Sequence, residues 1–453
     1  MKKRIGLLLG SLLLLGLLLS GCTSLFSPGS SVGPQSIDVQ QDAILAFHHL
    51  PEGIEDTIEG LGGTVRAVLE EIDAVLVTGT SEFLLAVEGL PGFDVAIADV
   101  AVDWLPDIER VELSAEHIGS DEPFFEEYQW DMLAIDAPGA WDAGYTGAGV
   151  RVAVLDTGID PLHPDLAPNL NVALSTSFVS YEPFIDDLDG HGSNVAGIIA
   201  AADNEVGVIG VAPGAEIVAI KVLDGSGSGD FGWLLEGILY AVAADVDIIN
   251  MSLGAYMSHD GYVRSGGVDI YVGAAEINGF VNLVRKTINY AAQQGVLLVA
   301  SAGNDAHDGT GDSGWMHVPS DVGDCVTVSA TGPIGWAYSH DVDLDAFAFY
   351  SDYGPQIDFA APGGNADFSL PLWYFDLVMN CTNGQWYAWF GGTSQAAPHV
   401  CGVAALIVEK NGGSMKPAHI ERELRQSADD LGKPGGDPFF GYGRVNAARA
   451  VTD

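Results

Sequence analysis

The sequence predicts an α/β protein with a mostly parallel β-sheet in three layers, preceded by a small α+β domain. Three observations carry this. From Gln129 onward, short apolar runs alternate with amphipathic stretches, the pattern of βαβ units whose strands are covered on both faces by helices. Between Ile37 and about Leu105 the runs are shorter and mix strand-like with helix-like periods. With 453 residues, 48% of them hydrophobic, the chain can bury a sizeable core and accommodate two to four domains of roughly 100–200 residues each.

Charge narrows the function classes. There are 62 Asp and Glu against 17 Lys and Arg, a net charge of −45. Nucleic acid and anionic membrane surfaces are excluded as partners, because either requires a basic footprint to replace counterions. Self-repulsion at this density is screened in concentrated salt. A saline habitat is therefore one reading of the acids, and a solvated surface with some calcium ligands among them is the other.

At the N-terminus, Lys2, Lys3 and Arg4 precede an apolar run from Ile5 to Leu19, too short for a comfortable membrane span, so residues 1–21 read as an export signal. The signal ends in Leu19-Ser20-Gly21-Cys22, which resembles the lipobox of bacterial lipoproteins. The resemblance implies that Cys22 is acylated, becomes the new N-terminus and anchors the chain at the cell envelope. Residues 22–36, rich in Ser, Gly and Pro, form a flexible tether. In the small domain, 37–105, AILAFHH and DAVLVTG read as strands, GIEDTIEGLGG as a helix closed by Gly, and SEFLLAVEGLPG as a helix capped by Ser81. Residues 106–128 turn acidic, lose their period and read as a linker.

In the large domain, 129–453, VRVAVLD, AEIVAIKVL, VDIINMSLG and GVLLVASAGN read as strands. WLLEGILYAVAA and FVNLVRKTINYAAQQ read as helices, the second ended by Gly295, and Pro417 opens a late helix. Two stretches, roughly 255–277 and 365–388, read as surface loops. Beyond Cys22 the cysteines are Cys325, Cys381 and Cys401, without metal-ligand spacing. Export permits a disulfide. Cys401 sits in an apolar helical run, which leaves Cys325 and Cys381 as the expected bridge.

Three separated positions can together perform nucleophilic catalysis. Asp156 ends a strand at the C-terminal rim of a parallel sheet, where open α/β proteins place ligands. His191 lies between glycines at a helix start, and Ser394 follows a Gly-Gly-Thr turn at another. A serine hydroxyl needs an imidazole to accept its proton, and the imidazole needs a carboxylate to fix its tautomer. Taken singly, each residue is an ordinary turn former, helix-start residue or cap. The order Asp156, His191, Ser394, within VAVLDTGID, DGHGSNVAG and GGTSQAAPHVCG, closely resembles the subtilisin family of serine proteases over about residues 129–450.

The resemblance implies further assignments. Asn304, in VASAGND, would supply the side-chain amide of an oxyanion hole together with the Ser394 backbone N–H. Ser252, Leu253 and Gly254 would pair with an extended peptide, with Gly227 opening the opposite edge and Phe231 lining an apolar pocket. A structural calcium site would use Asp165 and Asn204 with the carbonyls of Ala202, Val206 and Val208, while catalysis needs no cofactor. Residues 37–105 would be an inhibitor-like propeptide, removed by the protease itself through cleavage between Pro106 and Glu127. The precursor would then be anchored and the mature enzyme released from Cys22. Four residues depart from the family pattern: Ser193, Asn194, Gln395 and Ala397. The implied function is an exported serine endopeptidase acting on extended polypeptides through an acyl-enzyme. The alternative is an acidic cell-surface binding protein that keeps the fold without catalysis.

Overall fold

The computed structural model describes residues 39–105, 109–113, 125–310 and 314–452. The export segment, Cys22 and the tether lie outside the described residues, as do 106–108 and 114–124 of the linker.

The N-terminal module folds as β1 (Gln41–Phe47), α1 (Ile54–Gly60), β2 (Thr64–Leu69), β3 (Ala74–Gly79), α2 (Ser81–Val87) and β4 (Phe93–Ala98). Its sheet has the order β2-β3-β1-β4, antiparallel throughout. Periodicity misses β2 and β4 because each is only six residues long and half-exposed. The cap of α2 is Thr80 rather than Ser81: Thr80 is extended and its side chain accepts the Phe83 N–H at 3.2 Å. Two further strands follow, β5 (Ala101–Asp103) and β6 (Glu109–Leu113), so part of the predicted linker is regular structure.

Three short helices, α3 (Phe125–Tyr128), α4 (Trp130–Ala134) and α5 (Ala137–Asp142), lead into the large domain. It continues with β7 (Arg151–Asp156), β8 (Thr176–Ser177), α6 (His191–Ala200), β9 (Glu216–Lys221), β10 (Ser228–Asp230), α7 (Phe231–Ala243) and β11 (Ile248–Met251). Next come β12 (Ala255–Ser258), β13 (Tyr262–Ser265), β14 (Val268–Tyr271), α8 (Ala274–Gln294), β15 (Leu297–Ser301), β16 (Trp315–Val318), β17 (Val326–Thr331) and β18 (Phe359–Pro362). The chain ends with β19 (Val378–Thr382), β20 (Trp386–Gly391), α9 (Thr393–Lys410), α10 (Pro417–Ser427) and α11 (Ala447–Thr452).

Among the described residues the main sheet has the order β18-β17-β15-β11-β7-β9-β8, with every pairing parallel. Alternation along its strands sends successive side chains to opposite faces. Val152, Val154 and Val299 join the core formed with α6 and α9, whereas Ala153, Leu155 and Leu298 join the core formed with α7 and α8. Three layers result. Helix α9 is buried from Thr393 to Val408, as expected of a helix without a polar face.

Three expectations are corrected. The stretch 255–277 is a set of short strands in a sheet of order β14-β13-β12-β16, with a two-residue turn at Gly266 and Gly267, both at positive φ. The stretch 365–388 carries a 3₁₀ turn at Trp373–Asp376 and most of the β19–β20 hairpin. Elements of three to five residues are too short to establish a period. The cysteines are free: Cys325 packs in the core with α7 and α8 and Cys381 in the core with α6 and α9, so the sheet separates the expected partners. Among the described residues no helix is long and apolar enough to cross a membrane.

The module docks its sheet on α8 and its acids near the start of α7. Asp99 accepts the Gly232 N–H at 2.8 Å and is paired with Arg66. Glu236 of α7 faces this pair, and burial pushes its carboxyl up to about 7, with Asp99 adding to the shift and Arg66 opposing it. A carboxyl raised in the folded state stabilises that state while protonated and opposes it once ionised. The Glu236 contribution is therefore lost as pH rises from about 4.5 through about 7. Glu236→Gln is expected to raise the melting temperature by a few degrees at pH 8 and to leave it nearly unchanged at pH 5; equal shifts at both pH values would overturn this account.

Candidate active site

The end of β7 and the start of α6 bring two candidate residues into contact. His191 Nδ1 lies 2.8 Å from Asp156 Oδ1 and 3.0 Å from Oδ2, both residues buried. The turn into α6 passes through Gly190 at φ 90°, where an added Cβ would meet Thr382 Oγ1 at 2.2 Å. Three groups that sequence reasoning missed hold this turn. Thr157 donates its hydroxyl to Asp187 Oδ1 at 2.7 Å and accepts the Gly192 N–H at 3.0 Å. The Asp187 carboxylate also accepts the N–H groups of Gly190 and Ser193, each at 2.8 Å. Fully buried Lys221, in register with Asp156 on the neighbouring strand, donates to the Thr157 carbonyl and pairs with Glu182 at 3.0 Å. The short polar run Asp187-Leu188-Asp189-Gly190 is the one local signal for part of this set.

Ser394 occupies the first turn of α9. Pro398, four residues on, has no N–H to give the Ser394 carbonyl, and the Ser252 hydroxyl donates to it instead at 2.7 Å. The Ser394 hydroxyl donates to the Ser252 carbonyl at 3.1 Å and makes no hydrogen bond to His191. Asp156 and His191 are thus joined, while the serine stands turned from the imidazole. Helices α6 and α9 pack together, and Gln395 Nε2 donates to Asn194 Oδ1 at 3.2 Å, so two departures from the family pattern pair with each other. Asn194 also donates to the Cys381 carbonyl at 3.1 Å. Asn304 Oδ1 accepts the Thr393 N–H at 2.9 Å and hydroxyl at 2.8 Å, which fixes its amide. His191 Nε2 and Asn304 Nδ2 are both buried without a partner among the described residues.

The two predicted binding edges hold a segment of the chain itself. β5 pairs antiparallel with β10, and Trp104 donates its backbone N–H to Gly227 O at 3.1 Å and accepts from Gly254 N at 2.9 Å. The Trp104 indole donates to Gly229 O at 2.8 Å and packs against Phe231 at a centroid distance of 6.0 Å. Leu253 is buried in the same cluster. Phe280 of α8, stacked on Phe231 at 3.9 Å, completes the pocket, and its position in a helix period gave no sign of this.

Comparison with known proteins then decides the family. A model described as the Subtilase family matches residues 147–443. The chain belongs to the subtilase family. It is 32% identical over 455 aligned residues to the M-protease of Shouchella clausii, covering 100% of both chains. It is 34% identical over 325 residues to the Minor extracellular protease Epr of Bacillus subtilis, a match that takes in 72% of this chain and 42% of that relative. The solved structure of the Epidermin Leader Peptide Processing Serine Protease from Staphylococcus aureus shares the fold, with a TM-score of 0.74 at 21% identity over 91% of this chain and 99% of that one. The subtilase assignment makes the chain a member of a serine protease family that hydrolyses peptide bonds.

The loop after α6 tests the calcium expectation for this subtilase. Asp165 Oδ2 accepts from Val208 N at 3.1 Å and the Tyr387 hydroxyl at 2.8 Å. Burial pushes its carboxyl up to about 6. Among the described residues the carbonyls of Ala202, Val206 and Val208 accept no backbone hydrogen bond, so an oxygen donor set suited to a hard cation is present. Asn204 differs: its Oδ1 accepts the Val206 N–H at 3.0 Å and its Nδ2 faces Asp165 at 3.3 Å, so it braces the carboxylate. His163, Asp165 and Cys381 are also clustered. Both ring nitrogens of His163 are engaged, with Trp386 O and with Asp165 N, and burial pushes the Cys381 thiol well up, so this cluster does not suit a softer metal.

Burial works to lower the His191 pKa, but the facing carboxylates, Asp156 foremost, outweigh it and hold the imidazole above its ordinary value of 6.5. The ring signals of His191 are expected to titrate above 6.5 by NMR. In Asp156→Asn the midpoint should fall by about one unit or more. An unchanged midpoint in that variant would remove Asp156 as the cause.

Proposed function

We propose that this subtilase is an exported serine endopeptidase, made as a precursor lipid-anchored through Cys22, that hydrolyses extended polypeptides through an acyl-enzyme. The observation that carries the reading is the pair of buried, unpartnered atoms, His191 Nε2 and Asn304 Nδ2, each held by hydrogen bonds at the opposite end of its side chain. An unsatisfied buried polar group costs about 1–3 kcal/mol, so both are poised to gain a partner. Rotation of the Ser394 hydroxyl away from Ser252 O gives it His191 Nε2 as its base. The oxygen then attacks the scissile carbonyl carbon, and the proton passes to His191 and on to the leaving amine. Asp156 stabilises the imidazolium. The tetrahedral oxyanion takes hydrogen bonds from Asn304 Nδ2 and the Ser394 N–H; one such amide donor lowers the barrier by about 3–4 kcal/mol, a magnitude established on a subtilisin. Water repeats the sequence on the acyl-enzyme.

Substrate backbone would pair with the edges at Gly227 and Ser252-Leu253-Gly254, with an apolar side chain against Phe231. The N-terminal module acts as the chain's own inhibitor, since β5 and Trp104 already take those hydrogen bonds. Self-cleavage between Pro106 and Glu127 separates the enzyme from the module and from the anchor. A calcium ion held by Asp165 and the carbonyls of Ala202, Val206 and Val208 would neutralise a buried carboxylate and fix the loop beside Tyr387.

Two measurements check these statements. A fluorophosphonate is expected to label the processed wild type and not Ser394→Ala, and Ser394→Ala expressed alone is expected to remain unprocessed. A well-folded wild type that does not react would favour the non-catalytic acidic binder instead. Chelation should lower the melting temperature of the wild type by several degrees and leave Asp165→Asn unmoved; a wild type insensitive to chelation would dismiss the ion.

A further inference from the structure

Between Ile37 and Tyr128 the chain contains only two Lys or Arg residues, Arg66 and Arg110. The second lies beside the candidate active site. β6 pairs antiparallel with β20, Glu109 opposite Gly391 and Arg110 opposite Phe390, and Gly391 precedes Ser394 by three residues. Four residues earlier, Leu105 lies on the other edge, its Cβ 3.0 Å from the position a Cβ would take on Gly227. The backbone bonds between Leu105 and Glu109 therefore fall in the interval served by Ser394, and Arg110 stands on the leaving-group side.

Arg110 has a receptive surface there. Its guanidinium carbon lies 4.9 Å from the centroid of the Phe390 ring, and Nη1 is 3.7 Å from Asp189 Oδ1. Asp189 is itself held by the His191 N–H at 3.1 Å, so the carboxylate is fixed relative to the imidazole. A Cβ on Gly190 would come within 3.4 Å of Arg110 Nη2, so the glycine keeps this space open. An aromatic face and a carboxylate together recognise a cation.

We propose that Phe390 and Asp189 form a subsite for a cationic side chain on the C-terminal side of the scissile bond, with Arg110 as its built-in occupant. The inference rests on the protease reading and names its substrate class: polypeptides with Arg or Lys shortly after the cleaved bond.

The test uses peptides with the sequence of residues 101–113, carrying Arg, Lys, Ala or Glu at position 110. They are presented to the processed enzyme in an Arg110→Ala background, which leaves the subsite open should that segment stay attached. The readout is kcat/KM, or Ki against a reporter peptide where the bond is not cut. Arg and Lys are expected to exceed Ala by about 3- to 10-fold, with Glu lowest and the margin shrinking in high salt. Asp189→Asn should bring the Arg-to-Ala ratio close to one, and Phe390→Leu should reduce it. Four peptides equal within about twofold, or an unchanged ratio in Asp189→Asn, would overturn the subsite. Fluorophosphonate labelling separates the two readings: equal peptides with intact labelling defeat only the subsite, whereas absent labelling defeats the protease reading while the Ki series still decides the subsite.

Discussion

The contact between Asp156 and His191 is the constraint to which the surrounding structure answers. Taking a carboxylate and an imidazole out of water costs several kcal/mol unless the lone pairs and N–H groups find partners in the protein. Asp156 Oδ1 accepts from Thr157 N at 2.8 Å as well as facing His191. That uses the residue immediately after the strand, so the strand end and the turn become one unit. Thr157 then binds Asp187 and Gly192, Asp187 gathers the amides at the start of α6, and Lys221 ties the Thr157 carbonyl to the adjacent strand. A sheet rim that would otherwise be a mobile loop becomes a network in which moving one member leaves a buried polar group unpaired.

The other half of the site depends on a missing hydrogen bond. Pro398 frees the Ser394 carbonyl, the Ser252 hydroxyl takes it, and Asn250 Nδ2 in turn supports Ser252 at 2.9 Å. The end of β11 is thereby fastened to the first turn of α9 at the residue that carries the hydroxyl. Thr393, one residue earlier, occupies the oxygen end of Asn304 and so directs the nitrogen end toward the site. The buried helix provides the rigidity: with Thr393 to Val408 all inside, its N-terminus has little freedom to shift.

The candidate catalytic residues were legible because each sits in a local context, a strand end or a helix start, that the sequence states within about ten residues. The parallel sheet was legible for the same reason, since four-residue and longer apolar runs separated by amphipathic helices define it. What stayed hidden depends on distance along the chain. Asn194 and Gln395 looked like two independent departures, yet they are partners across 201 positions. Lys221 reads as an ordinary strand-end cation until its register with Asp156 is known. Trp104 gave no sign of filling the pocket at Phe231, 127 residues ahead, because a lone tryptophan in an acidic stretch has no period to declare it. The expected Cys325–Cys381 bridge failed because spacing and oxidation state carry no information about which face of a sheet each thiol occupies.

Acidity and docking are connected through the placement of the few cations. Arg66 stands among Asp42, Asp99 and Glu236, and Arg110 stands against Asp189 and Phe390. Both lie in the N-terminal part of a chain whose net charge is −45, where a randomly placed acid would repel the large domain. The main-chain hydrogen bonds of β5 and Trp104 are indifferent to sequence, so any extended peptide could make them. Selection must then come from side chains at the two ends of the bound segment, an indole in the Phe231 pocket and a guanidinium beside Asp189. These ends respond differently to solution conditions: burial of the indole is insensitive to salt, while the half-exposed guanidinium contact weakens once the Debye length falls to a few ångströms. An acid-rich protease built this way would hold its substrates mainly by the apolar end in brine and by both ends in dilute buffer.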